Sequence, residues 1–328
     1  MKYHHKHIPF TLCDTFDLEN LNNSDNMKFC DHLPNLENIY ETSKYSSFPL
    51  PDDELTLPCN LNSKYHSVYD FQKLKVHKNF NIFHANVNGL ESKFDTLHNF
   101  LAGALPAMDV IAITETSEDK EKSFISNISM DGYKLFHTPT NSLKGGTAMY
   151  INEDFDVFER IDIKAQTDRY ESVWIEIKNN NSKNVVCGSI YRHPKQKTAD
   201  FNDFYNYLDS TLKKLDDENK EIYICGDFNI DLLKMNDVHS YLEFFNLLSC
   251  YRLLPFIVHP TRVVDRQVPS LIDNIFSNNL SDVVHSGNIY LTLSEHFSQF
   301  ASVKHEKIDV RKIDMYGRDF SKFSESKF

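Results

Sequence analysis

The sequence is poor in cysteine, and none of its six cysteines forms a C-x-x-C pair. Cys187 and Cys225 lie inside apolar, strand-like runs, where a buried and reduced thiol is the ordinary expectation. Near the N-terminus, a zinc site could use Cys13, Cys30, Cys59 and His32, but their spacing matches no known zinc-binding pattern. The sequence therefore predicts a reduced protein without a zinc site.

Long apolar runs are also missing. The first eight residues, Met-Lys-Tyr-His-His-Lys-His-Ile, lack the apolar core of a signal peptide. No later stretch approaches the roughly 20 apolar residues of a membrane span. We therefore expect an intracellular protein with no membrane partner.

An excess of positive charge is absent as well. The formal net charge is −12, and residues 80–304 alone contain 31 Asp and Glu against 21 Lys and Arg. A protein that holds nucleic acid mainly by neutralising phosphates is expected to be basic. A nucleic-acid function would therefore need local basic patches, a divalent metal, or help from another region.

The chain divides into three parts by composition. Residues 1–78 are rich in Asn, Asp, Ser and Pro and are predicted to be a poorly ordered extension. Residues 79–305 alternate strand-like and helix-like segments and are predicted to form the domain. Residues 306–328 form a charged tail. Strands outnumber helices, which favours an α/β (α+β) fold of two stacked mixed sheets flanked by helices in four layers.

The predicted elements follow from apolar periodicity. Apolar strand-like runs are 80–88, 109–115, 146–151, 172–177, 185–191 and 221–224, with further strands near Leu271 and Phe300. Helical spacing covers 92–101, 200–215 and about 239–248. Asp200 is predicted to be the N-cap of the second of these helices.

Polar residues of similar chemistry follow several of the predicted strands. These segments are Asn86-Val-Asn88-Gly89, Thr114-Glu115-Thr116, Tyr191-Arg192, Asp227-Phe-Asn229, Leu271-Ile-Asp273-Asn274 and Leu293-Ser294-Glu295-His296. Each has an ordinary explanation when taken singly: Asn-Gly and Gly-Asp-x-Asn form turns, and a carboxylate can cap a helix. Their joint occurrence favours one site at a common rim, because strand ends on one edge bring their side chains together.

The order of these motifs resembles the endonuclease/exonuclease/phosphatase superfamily, and within it the endonuclease domain of LINE-type (non-LTR) retrotransposons. The segments that carry the resemblance are Ser189-Ile-Tyr-Arg-His-Pro, Gly226-Asp-Phe-Asn-Ile-Asp, His259-Pro-Thr-Arg, Leu271-Ile-Asp-Asn-Ile-Phe and Ser286-Gly-Asn. The resemblance covers roughly residues 80–303. It implies a DNase I-like fold and a metal-dependent endonuclease that nicks target DNA by hydrolysing a phosphodiester bond.

The resemblance also implies a metal site. Glu115 would be the principal carboxylate for Mg²⁺ (or Mn²⁺), with Asn88 and Glu295 near the ion and Asn86 placing Glu115. Hard oxygen ligands of this kind suit Mg²⁺.

The resemblance implies the following catalytic roles. Asp227 would orient and deprotonate the attacking water, and Asn229 would hydrogen-bond the phosphoryl oxygens. Tyr191 would donate its hydroxyl to the scissile phosphate. His296, oriented by Asp273, would stabilise the charge that develops on the phosphate.

One motif departs from the family pattern, since Ser294-Glu295-His296 stands where relatives have Ser-Asp-His. A misplacement of about 1 Å can cost ~100-fold in rate, so Glu295 is either a tolerated exchange or the mark of a weakened site. Two further alternatives stay open: another phosphoesterase chemistry, such as a phosphatase or sphingomyelinase, and a remnant that folds without catalysis. The Ile-Tyr-Arg-His-Pro segment argues against the former.

The expected partners are DNA and a reverse transcriptase region that this chain does not contain. A genomic DNA target would imply a nuclear location. The basic residues Arg192, Lys195 and Lys197 are hypothesised to touch the DNA backbone, although a solvated cluster explains them equally well. Lys144-Gly-Gly is too short for a phosphate loop and is predicted to be a hairpin turn.

Overall fold

The computed structural model describes residues 63–74, 79–103, 108–117, 128–142, 144–179, 182–194, 197–279 and 283–304. The predicted tail, most of the predicted extension and Lys195 lie outside these ranges. Among the described residues, no helix has both the length and the apolar character needed to cross a membrane.

Two sheets carry the fold. The first has the strand order β1-β13-β14-β2-β3-β5-β4. Its strands are β1 Ser63–His66, β2 Phe80–Asn86, β3 Val110–Thr114, β4 Tyr133–Thr138, β5 Thr147–Asn152, β13 Val283–Ile289 and β14 Ser298–Val303. Parallel pairs (β1 with β13, β2 with β3) stand beside antiparallel ones, so the sheet is mixed.

The second sheet has the order β11-β12-β10-β9-β8-β6, with β7 also paired to β8. Its strands are β6 Val157–Glu159, β7 Ala165–Gln166, β8 Tyr170–Ile177, β9 Val185–Arg192, β10 Glu221–Asp227, β11 Leu254–Pro255 and β12 Asp273–Ser277. Only β9 and β10 run parallel within it.

Helices cover the outer face of each sheet. They are α1 Val68–Gln72, α2 Leu90–Gly103, α3 Thr198–Asp217 and α4 His239–Cys250, with a 3₁₀ turn at Leu232–Lys234. Buried residues of α1 and α2 pack on the first sheet, and those of α3 and α4 pack on the second. The four layers, helix–sheet–sheet–helix, confirm the predicted fold class.

The interface between the two sheets changes character along its length. Alternate residues of a strand face the same side, so Tyr223, Cys225 and Asp227 of β10 all point toward the first sheet. Tyr223 and Cys225 belong to an apolar cluster between the sheets. Asp227 lies beyond it, at an end where buried polar side chains collect. The strand pattern therefore places the predicted site at this end.

The N-terminal boundary differs from the prediction. Residues 63–66, assigned to a poorly ordered extension, form β1 and pair in parallel with residues 286–289 of β13. The Tyr65 hydroxyl donates to the Pro260 carbonyl at 2.9 Å. The prediction was wrong for residues 63–74, because this segment is ordered by pairing and packing with distant parts of the chain and not by its own composition.

The start of α3 is a second correction. The N-cap is Lys197, and Asp200 occupies the third helical position, where its carboxylate accepts from the Lys197 backbone N–H at 3.1 Å. A carboxylate at either position satisfies N–H groups in the first turn, so the sequence pattern does not separate the two.

Candidate active site

Four side chains form one row across the second sheet. The strand registers pair Asp273 with Asp227, Asp227 with Tyr191, and Tyr191 with Glu171. Asp273, Asp227 and Glu171 are each 0–1% exposed. Such a row of buried carboxylates must be matched by hydrogen bonds or positive charge, which the surrounding residues supply.

Gly226 allows the strands to approach at this row. A Cβ at Gly226 would lie 2.0 Å from the backbone oxygen of Ile190 on β9, so no other residue fits without displacing a strand. The Gly-Asp dipeptide therefore has a packing cause as well as a chemical one.

Asn86 joins the two sheets at the site. Its side-chain Nδ2 donates to Asp227 Oδ2 at 2.8 Å and to Glu115 Oε1 at 2.9 Å. The same Glu115 oxygen accepts from the Tyr191 hydroxyl at 3.2 Å. One amide from the first sheet thus holds two carboxylates and, through Glu115, a tyrosine of the second sheet.

Three of the predicted site residues adopt left-handed backbone conformations. Asn88, Glu115 and Asn229 have φ values of 44°, 53° and 49°. Asparagine visits this region readily, whereas glutamate does so at a cost. The Gly89 N–H donates to the Glu115 carbonyl at 2.8 Å, which joins the loop of Asn88 to the turn of Glu115. The backbone around Glu115 is therefore held in this conformation by its neighbours.

Asn229 is anchored on both sides. Its backbone N–H donates to Asp227 Oδ1 at 3.0 Å, and its Nδ2 donates to the Arg192 carbonyl at 2.7 Å. Among the described residues, the amide oxygen and the second Nδ2 hydrogen have no hydrogen-bond partner, so they remain for a ligand.

Asp273 and His296 form a hydrogen-bonded pair. His296 Nδ1 lies 2.8 Å from Asp273 Oδ2, and the Thr261 hydroxyl donates to the same oxygen at 2.6 Å. Ser294 accepts from the His296 backbone N–H at 3.1 Å and donates to the Asn86 carbonyl at 2.6 Å. This arrangement fixes the imidazole and leaves Nε2 for a further contact.

The charges of this group influence one another. Burial and the neighbouring Asp273 raise the pKa of Asp227 to about 8. Burial opposes the charged form of His296, but the Asp273, Asp227 and Glu115 carboxylates outweigh it and raise the pKa of the ring to about 9. Burial, together with Glu115, raises the pKa of Tyr191 well above its ordinary value. The site therefore places Asp227, a carboxyl group with a raised pKa, beside the imidazolium of His296. Such a pair is typical of sites that perform acid–base chemistry.

Several donors at the site suit a cation. One carboxylate oxygen of Asp227 and one of Asp273 lie within 4.8 Å of each other and of a His296 ring nitrogen, although the charged form of His296 is not itself a metal ligand. Asp273 Oδ1 is buried and has no hydrogen-bond partner among the described residues. Glu115 is partly exposed, and its Oε2 accepts no hydrogen bond from the part of the chain that the structure describes. Unpartnered carboxylate oxygens of this kind fit a hard divalent ion.

The model of the endonuclease/exonuclease/phosphatase family matches residues 79–296. The chain belongs to this family.

Solved structures with this family fold are distant in sequence. The AP endonuclease LMAP from Leishmania major has a TM-score of 0.59 at 14% identity, with 70% of this chain and 89% of that chain covered. A variant of the 3′ phosphatase NExo from Neisseria, solved with product DNA hairpin, has a TM-score of 0.52 at 17% identity, with coverages of 69% and 100%. These likenesses support the fold.

The endonuclease domain of TRAS1, a telomere-specific non-LTR retrotransposon, has a TM-score of 0.49 at 14% identity and covers 70% of this chain and 100% of its own. This likeness is too weak to assign the retrotransposon branch. Comparison with curated protein sequences gave no match.

In this chain, most of the predicted site residues lie together at the end of the two sheets where buried polar side chains meet. Direct hydrogen bonds link Asn86, Glu115, Tyr191, Asp227 and Asn229 on one side. Asp273 and His296 adjoin them through the grouping with Asp227. Asn88 lies exposed on the adjoining loop, where its backbone N–H donates to Asn86 Oδ1 at 3.2 Å.

Glu295 is the exception. Its side chain is 61% exposed and pairs with Arg262 at 2.6 Å. Its role as a metal ligand stays a prediction.

Two residues of this family site have roles that the sequence did not assign. Thr261 holds Asp273, and Ser294 links the His296 turn to the strand of Asn86. Both lay within quoted motifs, so the motif itself was the available signal; their hydroxyl contacts depend on long-range packing.

Arg192 corrects another expectation. It was hypothesised to touch DNA, but it is 5% exposed and its guanidinium donates to the carbonyls of Phe228 and Asn229 at 3.2 and 3.3 Å. The guanidinium also packs over the rings of Phe201 and Phe204. Arg192 therefore braces the Asp227–Asn229 turn from inside. Lys197 is exposed at the start of α3 and keeps its place in the hypothesis.

Proposed function

We propose that this chain is a metal-dependent DNA endonuclease that hydrolyses phosphodiester bonds. One observation carries the proposal: the Asn86 amide holds Asp227 and Glu115 together, and the Asp273–His296 pair adjoins Asp227. This places a candidate base, a candidate metal ligand and a cation beside one another at one rim, the set that phosphodiester hydrolysis requires.

The proposed steps use groups already in position. In its ionised form Asp227 accepts a proton from the attacking water. Its raised pKa, about 8, makes that form a stronger base and favours activity as the pH approaches this value. The Nε2–H of charged His296 and the Asn229 amide hydrogen-bond the phosphoryl oxygens, where negative charge increases during in-line attack. When the DNA strand binds, the Tyr191 hydroxyl exchanges its hydrogen bond to Glu115 for one to the scissile phosphate.

Glu115 is the residue proposed to hold Mg²⁺ or Mn²⁺, with Asn88 on the adjoining loop beside it. A bound divalent ion supplies Lewis-acid stabilisation of the phosphate charge. Members of the family generally depend on a divalent metal. The unpartnered Glu115 Oε2 supports this assignment.

The biological role that we infer is the nicking of target DNA by a non-LTR retrotransposon protein, in concert with a reverse transcriptase region and in the nucleus. Its support is the set of sequence motifs, such as Ile190-Tyr-Arg-His-Pro and Leu271-Ile-Asp-Asn-Ile-Phe.

Nicking of supercoiled plasmid in Mg²⁺ tests the activity. We expect Asp227→Ala to lower the nicking rate by at least ~100-fold, the ordinary contribution of a general base. Cys250→Ser, an exposed change on α4, serves as the matched control and keeps the rate. Equal, negligible nicking by the unaltered chain and the Asp227→Ala form would contradict the proposal.

A weakened endonuclease is the second candidate, and the Glu295–Arg262 ion pair supports it. Shortening the side chain in Glu295→Asp draws the carboxylate back from Arg262 and restores the acid found in relatives. A rise in nicking for Glu295→Asp would favour the weakened site, whereas an unchanged rate would show that Glu295 is a tolerated exchange.

A further inference from the structure

A second histidine–carboxylate pair lies beside the site. His193 Nε2 is 3.1 Å from both carboxylate oxygens of Glu171, and the Thr140 hydroxyl donates to Glu171 Oε1 at 2.8 Å. Glu171 is fully buried. Among the described residues no lysine or arginine pairs with Glu171, so His193 is the group that can compensate its charge.

This pair continues the row of site residues by one strand. Glu171 on β8 is in register with Tyr191 on β9, which in turn is in register with Asp227 on β10. The His193 ring packs edge-on against the Tyr191 ring, with centroids 4.9 Å apart and planes at 68°. Adjacent strands lie roughly 4.8 Å apart, so His193 stands within about two strand spacings of Asp227.

The loop before β5 encloses the histidine. A Cβ on Gly145 would lie 2.9 Å from His193 Cε1 and 2.7 Å from Thr140 Oγ1, so this backbone packs directly over the ring. The Ser117 N–H donates to the Gly145 carbonyl at 2.8 Å, which joins the loop to the turn that carries Glu115. The ring is therefore held at the same rim as the proposed metal ligand.

Two polar groups here are left for a ligand. The His193 side chain is 15% exposed, and its Nδ1 makes no hydrogen bond within the part of the chain that the structure describes. Thr116 Oγ1, at the turn beside Glu115, is buried and likewise has no partner among the described residues.

We propose that His193, oriented by Glu171, binds a backbone phosphate of the nucleic-acid strand next to the phosphate that reacts at Asp227. This inference rests on the proposed function and extends it.

The test combines neutral phosphates with variants. A duplex oligonucleotide carries a methylphosphonate at one backbone position at a time, and binding is measured by fluorescence anisotropy in EDTA, with nicking measured in Mg²⁺. For the unaltered chain we expect one position flanking the nick at which the neutral group weakens binding by about 10-fold, the size of a charged hydrogen bond. In His193→Gln the same methylphosphonate should weaken binding less than 2-fold, because the His193 ring that contacts this phosphate is already absent.

Controls separate a binding role from a structural one. His239 also pairs with a glutamate, Glu243, but is exposed on the outer helix α4, so His239→Gln should keep the full methylphosphonate effect. If His193→Gln fails to fold, Glu171→Gln provides the second variant. It removes the carboxylate that orients the imidazole and keeps the His193 ring, so the methylphosphonate effect should fall in this variant as well.

The outcomes distinguish the two proposals. Full methylphosphonate sensitivity in His193→Gln, or no flanking sensitivity in the unaltered chain, would overturn the phosphate contact even if nicking is normal. Sensitivity to one methylphosphonate position that is lost in His193→Gln, with no nicking by the unaltered chain, would overturn the proposed activity and leave the phosphate contact of His193 standing. Absence of DNA binding by the unaltered chain would overturn both.

Discussion

Asp273 and His296 illustrate how two residues can stabilise the fold and prepare the site together. Asp273 is fully buried and the His296 side chain is only 11% exposed, so each would be costly to charge alone. Paired at 2.8 Å, they compensate one another, and the Thr261 hydroxyl satisfies the carboxylate further. The imidazolium form is therefore favoured in the folded protein.

The sign of the resulting pH dependence follows directly. The folded-state pKa of His296 is raised from 6.5 to about 9, so its stabilising contribution is full below pH 6.5 and disappears as pH rises through 9. We expect urea unfolding in EDTA to lose on the order of 1–3 kcal/mol from this residue between pH 6 and pH 9.5. His296→Gln should be less stable than the unaltered chain at pH 6 and converge with it at pH 9.5. A constant difference across this range would contradict the pairing.

At this scale the sequence predicted residues whose chemistry follows a motif, such as Asp227 and Asn86. It did not predict Glu171, because a glutamate at the start of a strand resembles an exposed edge residue. It misjudged Arg192, because its burial depends on aromatic rings of α3 that follow it in the chain. Roles set by long-range packing leave little trace in local sequence.

The segment before β2 changes the interpretation of the N-terminal region at the scale of elements. Phe71 on the short helix α1 is 1% exposed and packs against the rings of Phe100 and Phe300. On the same helix, Tyr69 is 55% exposed. One helix thus presents a core residue and a surface residue two positions apart.

We expect Phe71→Ala to lower the free energy of unfolding by about 3–5 kcal/mol, the ordinary cost of truncating a buried phenylalanine. Tyr69→Ala should cost under about 1 kcal/mol, because the ring is mostly in water. Urea denaturation of both variants checks this. Equal, small losses would mean that residues 63–74 contribute nothing to the domain, as their composition had suggested.

Elements with continuous apolar runs were predicted well, including β2, β3, β8, β9 and β10. Strand β13 was missed because its sequence, Val283-Val-His-Ser-Gly-Asn-Ile, is half polar. Ser286 and Asn288 of this strand are buried by contacts with other segments; for example, the Ser286 hydroxyl donates to the Phe256 carbonyl at 3.0 Å. Apolar periodicity does not reveal strands stabilised in this way.

At the scale of the whole molecule, a second group of charged residues lies around Glu176, away from the candidate site. Arg160 and Lys220 both pair with Glu176, at 2.7 and 2.6 Å, near the end of β8 opposite Glu171. Glu176 is 2% exposed and also accepts from Asn184 at 2.7 Å. Burial disfavours its charge, but these hydrogen bonds lower its pKa on balance.

A lowered carboxyl pKa contributes stability above pH 4.5 that is lost as pH falls through the folded-state pKa. We expect Glu176→Gln to cost on the order of 1–3 kcal/mol at pH 7, because Arg160 and Lys220 lose their buried partner and keep only Asp162 and Glu218. The difference should shrink below pH 4.5. Asp217→Asn, which breaks the exposed Lys213 pair, should change stability by under about 1 kcal/mol at either pH. Chemical denaturation at the two pH values decides; a Glu176→Gln cost that persists in acid would contradict the ionic account.

The hydrogen bond from the Asn86 amide to Asp227 depends on the distance between the two sheets. A slight separation would break the bond to Asp227 while each sheet kept its own core and its helices. Trp174, the single tryptophan, is buried in the helix-covered core of the second sheet and would not sense such a separation. Gradual denaturation should therefore abolish the proposed nicking activity at a lower urea concentration than the one at which tryptophan fluorescence changes.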